Sequence, residues 1–184
     1  MTLRHAILGF LSVAPSTGYD LKSYFDGSVR QFWTADQAQI YRVLAQLAQD
    51  GLVTIEVIPQ SDRPDRKLHH LTPAGTDELD RWLASPLDAH AVREPFLLRL
   101  FFAGRLGRAG VCDLIGARIA AAEQQLALLS AIRSSSGPPG PDLERILRLA
   151  TLDNGIRHTQ TEINWLAELR RSVTALTDEG DRHD

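Results

Sequence analysis

Between Asp36 and Arg42 the sequence DQAQIYR sets Gln37, Gln39, Tyr41 and Arg42 close together, with Ile40 set among them. Glutamine can pair bidentately with adenine and arginine with guanine, each worth ~1–3 kcal/mol of discrimination when the partner is a base edge in a major groove. Tyr41 has a hydroxyl suited to a phosphate oxygen. Some twenty residues on, the run SDRPDRK concentrates Arg63, Arg66 and Lys67 within five positions, tempered by Asp62 and Asp65. Those cations suit phosphates or a minor groove. Asp36 is the weakest member of the set, because a carboxylate repels phosphate, and capping the helix is the simpler role for it.

These side chains need a scaffold, and the periodicity supplies one. Ile40, Val43, Leu44, Leu47 and Ala48 recur at three and four, which predicts an amphipathic helix ending at Gly51. LVTIEVIPQ then reads as a strand, SDRPDR as a charged turn and KLHHLT as the returning strand. Upstream, Leu3, Ala6, Ile7, Phe10 and Leu11 pattern a first helix with Thr2 as its cap. Tyr19, Leu21, Tyr24, Phe25 and Val29 pattern a second, over 18–31. Phe32 and Trp33 are expected to anchor the following turn on these two helices, and Tyr19 and Tyr24 to lie in the core. Thr34 and Asp36 compete as the third helix's cap. Pro73 suits the first turn of a fourth helix, with Leu79, Trp82 and Leu83 facing inward. Three helices followed by a hairpin is the order of a winged helix-turn-helix, here expected over 1–84.

The remainder, 85–184, is expected to be helical. Phe96, Leu97, Leu100, Phe101 and Ala103 form one apolar face, and Gly107–Gly110 interrupts it. Cys112, Ile115, Ile119, Ala122, Leu126 and Leu129 approximate a heptad seam over 111–133. SSSGPPGP at 134–141 is a turn. Leu143, Ile146, Leu149, Ile163, Leu166, Leu169, Val173 and Leu176 pattern a long last helix, with a kink expected near Asp153–Gly155. The two long helices predict an antiparallel hairpin that pairs with a second copy, and the tail 178–184 is expected to be disordered. The fold class is therefore mostly α with a small β wing.

Composition narrows the function classes. The chain has 184 residues, 43% of them hydrophobic, and 23% charged, with a net charge of −3. Residues 1–72 hold seven basic and seven acidic side chains, so any DNA affinity must come from a small local footprint, doubled by dimerisation. No apolar run approaches the roughly 20 residues of a membrane span. The N-terminal segment MTLRHAILGFLSVAP merges into a helical pattern instead of a cleavage site. Cys112 is the single cysteine, buried and inert on its helix face by expectation, and a reducing, cytoplasmic setting is expected. The histidines at 5, 69, 70, 90, 158 and 183 lack zinc-site spacing, and His69 and His70 point to opposite faces of a strand. No nucleophile elbow, phosphate loop or supported Cys–His pair is present, so neither an enzyme nor a cofactor is expected.

The segments ILGFLSVAPSTGYDLKSYF at 7–25, FWTADQAQIYRVLAQLAQDGLV at 32–53 and RPDRKLHHLTPAG at 63–75 together resemble the PadR family of bacterial regulators. VREPFLLRLFF at 92–102 resembles the start of the second domain in the longer, Vir-type, AphA-like branch. The resemblance implies a homodimeric transcription regulator that binds a pseudo-palindromic operator, most often as a repressor. It also implies an aromatic effector near the dimer interface, for which Trp82, Phe96, Phe101, Phe102 and Trp165 are the available side chains, although core packing explains each more simply. An activator working with a second regulator, and a winged-helix module serving only protein–protein assembly, are the alternatives.

Overall fold

The computed structural model describes residues 3–27, 29, 30, 32–61, 65–87 and 94–176. The chain divides into two compact units, 1–90 and 91–184.

In the first unit, α1 (Leu3–Val13), α2 (Gly18–Gly27) and α3 (Gln37–Gln49) precede a hairpin of β1 (Val53–Ile58) and β2 (Arg66–Leu71), and α4 (Pro73–Leu83) follows. Ile7, Leu8 and Leu11 of α1 meet Leu21 and Phe25 of α2, Ile40, Leu44 and Leu47 of α3 and Leu79 of α4 in one core. Each such apolar side chain withdrawn from water contributes ~1.5–3 kcal/mol. The strands pair antiparallel from Val53 opposite Leu71 out to Ile58 opposite Arg66. Only Val53 in β1 is buried, so the hairpin projects from the core and leaves Ile55 and Val57 exposed.

Local chemistry explains the boundaries. Gly51 takes φ +72°, the left-handed conformation that ends α3 and turns the chain into β1. Thr72 caps α4 by accepting from the Gly75 N–H, with Pro73 at the first turn. The α2 helix stops at Gly27, four residues short of the expected Gln31, and Val29, beyond its end, packs on the core. Two aromatic placements depart from expectation. Tyr19 is 71% exposed, and Phe32 is also largely exposed while its neighbour Trp33 packs on the core. Tyr24 is partly exposed and leans on Phe10. Leu83, at the last turn of α4, faces out within its unit.

The second unit holds α5 (Pro95–Phe101), a 3-10 turn (Ala103–Leu106), α6 (Gly107–Ser135) and α7 (Leu143–Thr174). Gly107, expected to interrupt, instead starts α6: its φ of +66° makes the corner, and Gly110 lies inside the helix. Ile115, Ala122 and Leu129 are buried one heptad apart against Leu149, Leu152, Gly155 and Leu166 of α7. Arg118 binds Glu162 at 2.6 Å and Arg133 binds Asp153 at 2.9 Å, which fixes the helices antiparallel. The helix runs unbroken through Asp153–Gly155, where the small Gly155 sits buried and Asp153 serves the Arg133 pair. At 1.5 Å per residue its 32 residues span about 48 Å. Leu143, Ile146 and Leu176 face solvent instead of the seam, lying toward or past the ends of α7. Cys112 is half-buried, its Sγ 3.9 Å from Thr174 Oγ1. The expected cap Thr2, residue Gln31, the expected wing contact Arg63 and the tail 178–184 lie outside the described residues.

Candidate nucleic-acid interface

The recognition face begins with a cap. Asp36 is extended, and its Oδ1 accepts the Gln39 N–H at 2.8 Å, so its carboxylate closes the helix N-terminus. With Ile40, Leu44 and Leu47 directed into the core, Gln37, Gln39, Tyr41 and Arg42 are left exposed on the first turns of α3. Tyr41 is 47% exposed, and one side of its ring rests on the backbone of Gly18. A Cβ at residue 18 would stand 2.5 Å from Tyr41 Cε1, so only glycine lets the ring lie there.

Gly18 opens α2 inside a reciprocal cap. Thr17 Oγ1 accepts the Asp20 N–H at 3.1 Å, while Asp20 Oδ2 accepts from the Thr17 N–H at 3.0 Å and from the Thr17 hydroxyl at 2.7 Å. The Thr17 backbone N–H holds the Asp20 carboxyl below the usual carboxylate range; the Thr17 hydroxyl and the Arg66 guanidinium add to this against a burial effect of opposite sign. Arg66, the first residue of β2, reaches across to Asp20 at 3.7 Å. Lys67 makes no ion pair among the described residues.

Thr17, Gly18, Tyr19, Asp20, Tyr41, Gln60, Asp65, Arg66 and Lys67 line one groove. It joins the start of α2, the recognition face and the wing. Of the sequence-derived contact residues, Tyr41, Arg66 and Lys67 meet in this groove; Gln37, Gln39 and Arg42 occupy the exposed α3 face outside its lining. Tyr19, Asp20 and Gln60 were not among the expected site residues. The Thr17-x-x-Asp20 spacing is a capping signature that marks the start of α2, but the wing's proximity to it is a tertiary fact.

At the wing's foot, Ser16 and His69 form a two-way backbone bridge, at 3.2 and 3.0 Å. The His69 ring is buried, its Nδ1 3.3 Å from the Ser16 carbonyl oxygen. Burial lowers its pKa; the neighbouring Lys67 and His70 push the same way, against the Ser16 hydrogen bond. His70, on the opposite face, meets Glu56 at 2.8 Å.

Of the five aromatic residues suggested for an effector, Trp82 belongs to the first unit and the others to the second. In the first unit Trp82 stacks on His5, with ring centroids 4.9 Å apart and planes 6° off parallel. In the second, Phe96 lies beneath the Arg118 guanidinium at 5.5 Å, and Phe101 is 82% exposed, edge-on to Phe102. Trp165 is partly exposed on α7. A shallow groove on the hairpin is lined by Ile119, Ala167, Arg170, Arg171, Thr174 and Ala175, none of them from this aromatic set.

A capped recognition helix beside a two-stranded wing, followed by a long helical hairpin, defines a winged helix-turn-helix protein with an appended helical domain. Residues 7–81 match the transcriptional regulator PadR-like family, and residues 92–173 match the virulence activator alpha C-terminal family. A probable transcriptional regulator of Mycobacterium tuberculosis is 30% identical, the alignment covering 94% of this chain and 98% of the relative. The negative transcriptional regulator PadR of Bacillus subtilis is 29% identical, with 96% and 97% covered. Its crystal structure with operator DNA aligns at a TM-score of 0.80 and 27% identity, covering 93% of this chain and 98% of that one. Its complex with p-coumaric acid aligns at 0.76 and 25% identity, covering 94% and 98%. The Vibrio cholerae virulence activator AphA aligns at 0.74 and 26% identity, covering 96% and 100%. The chain belongs to the PadR family of transcriptional regulators, with a C-terminal domain of the Vir type. Among the described residues, no helix is long and apolar enough to cross a membrane.

Proposed function

We propose that this regulator binds a pseudo-palindromic DNA operator as a homodimer and represses transcription from it. The observation that carries the reading is the convergence of Tyr41, Arg66 and Lys67 on one groove beside the exposed Gln37, Gln39 and Arg42. In this reading Gln37, Gln39 and Arg42 meet base edges, Tyr41 meets a phosphate, and Arg66 and Lys67, with Arg63, hold the backbone at the wing. The operator complex of the Bacillus subtilis relative, and its name as a negative regulator, support the partner and the sign.

Dimerisation falls to the second unit. The helix α5, PFLLRLF, has no buried residue, and Leu97, Leu98, Phe101 and Phe102 are exposed close together in sequence. Apolar surface of this density is characteristic of a contact region. Two half-sites about one helical turn apart would then be read together. A small aromatic effector completes the reading, supported by the relative's complex with p-coumaric acid, with Trp82, Phe96, Phe101 and Trp165 as the residues to test. The match to AphA favours a second reading, activation, at the same operator.

A gel-shift titration on the DNA upstream of the protein's own gene, at two salt concentrations, tests the proposal. Arg66→Ala with Lys67→Ala should reduce the salt slope by about 0.9 for each phosphate no longer neutralised. Unchanged binding by that variant refutes the wing assignment. Sedimentation of a monomer at the binding concentration refutes the dimer, and a reporter that falls silent when the gene is deleted supports activation over repression.

A further inference from the structure

Arg66 and Asp20 are 46 positions apart, and nothing local brings them together; the fold sets the start of the wing's second strand against the start of α2. The two ends of this pair are held differently. Asp20 is fixed by its cap, with Thr17 donating twice to the carboxylate and receiving the Asp20 N–H. Arg66 stands at 3.7 Å, beyond a direct N–H···O hydrogen bond, with half of its side chain exposed. So the acid is anchored while the guanidinium is only attracted. An exposed pair of this kind is weak enough for a competing anion to break.

The groove around the pair also holds Tyr41 and Lys67, the latter without an ion-pair partner among the described residues. A DNA phosphate approaching here would therefore meet Lys67 and an Arg66 already partly neutralised, beside the carboxylates of Asp20 and Asp65. We propose that Asp20 is a positioning counter-charge for the wing: it holds Arg66 against α2 and yields it to a phosphate only when α3 is seated in the groove of its operator. Loose encounters with arbitrary duplex DNA then engage one cation fewer than the specific complex does. Asp20 thereby weakens binding to both kinds of DNA without contacting either, and makes the specific complex neutralise one phosphate more than the loose one. The inference rests on the DNA-binding reading above and names a residue that sets how many phosphates each complex neutralises.

Asp20→Asn tests it, because the amide oxygen can still accept from Thr17 while the charge is gone. Binding to a selected operator and to a scrambled duplex is measured against salt for wild type, D20N, R66A and the double variant, with melting curves to verify folding. The expected result is scrambled-duplex affinity about threefold tighter in D20N, with a salt slope steeper by about 0.9. The operator tightens at least as much, with its salt slope unchanged because Arg66 is already released there, and both effects vanish when Arg66 is alanine. If D20N matches wild type on scrambled DNA, the counter-charge role is wrong. If D20N tightens binding equally with Arg66 absent, Asp20 repels DNA directly and the pairing with Arg66 is irrelevant. A folded wild-type dimer with no salt-dependent affinity for any duplex overturns the function itself, and the inference with it.

Discussion

Gly75 offers a substitution for which two general rules predict opposite signs. It lies in the first turn of α4, where the helix crosses the exit of the hairpin. A Cβ there would stand 2.2 Å from the Leu52 carbonyl oxygen and 2.7 Å from Leu71 Cδ1. Helix propensity alone favours Gly75→Ala by about 1 kcal/mol. Against it, carbon and oxygen normally approach no closer than about 3.3 Å, so helix and carbonyl must part by roughly 1 Å. Inserting a methyl into packed structure costs ~1–3 kcal/mol. The same Leu52 oxygen accepts the Thr72 N–H at 3.1 Å, so moving it also weakens a bond worth ~0.5–1.5 kcal/mol. Sterics win. The expected net loss is about 2 kcal/mol, a fall of roughly 1 M in the urea midpoint. Because the two units can unfold separately, the assay needs a local signal. Trp33 and Trp82 report the first unit, and Trp165→Phe removes the reporter in the second. If G75A in that background is as stable as its parent, or more so, the close approach of α4 to Leu52 is wrong.

Three further outcomes are expected. Because burial lowers the folded pKa of His69 below its ordinary 6.5, the unfolded chain binds more protons between the two values, and stability rises with pH there. Urea melts of the first unit should therefore weaken as pH falls below 6.5, and His69→Gln should flatten that slope. Removing the α3 cap by Asp36→Ala should cost ~1 kcal/mol, largely restored by Asp36→Ser, in the same melts. In the second unit, Leu166→Ala should cost ~2–5 kcal/mol by thermal or urea melting. Leu143→Ala, by contrast, should stay within about 0.5 kcal/mol, since its side chain faces solvent.

What the sequence made legible follows the range of the interactions. The α3 helix, its Asp36 cap, the Gly51 turn and the buried Ile40, Leu44 and Leu47 are written in spacings of three and four, which local periodicity captures. The hairpin was legible because strand, charged turn and strand are contiguous. Boundaries set by packing were not. Val29 extends the apolar pattern of α2, yet the helix ends at Gly27, and Gly107 makes a corner that starts a helix where glycine ordinarily ends one. Residue type alone also misjudged Tyr19 and Phe32, since an aromatic ring suits both a core and a surface. At the ends of the seam, Leu143 and Leu176 extend the apolar pattern but are not buried, and spacing carries no information about where a partner stops. The meeting of Asp20 with Arg66 is wholly tertiary.

The bridge between Ser16 and His69 has a kinetic consequence for the wing. A two-stranded hairpin alone is marginal in water. Here its base is clamped by the bridge to Ser16 and by Thr72, whose N–H and hydroxyl donate to the Leu52 and Gly51 carbonyls. Fraying must then begin at the outer end, where Ile58 faces Arg66, and die out toward Val53 and Leu71. Amide hydrogen exchange would trace this as a gradient: rapid at the outer rungs, and at Ser16 and His69 as slow as opening of the whole unit. The wing is a cantilever, compliant toward its outer end and rigid where it joins the helices.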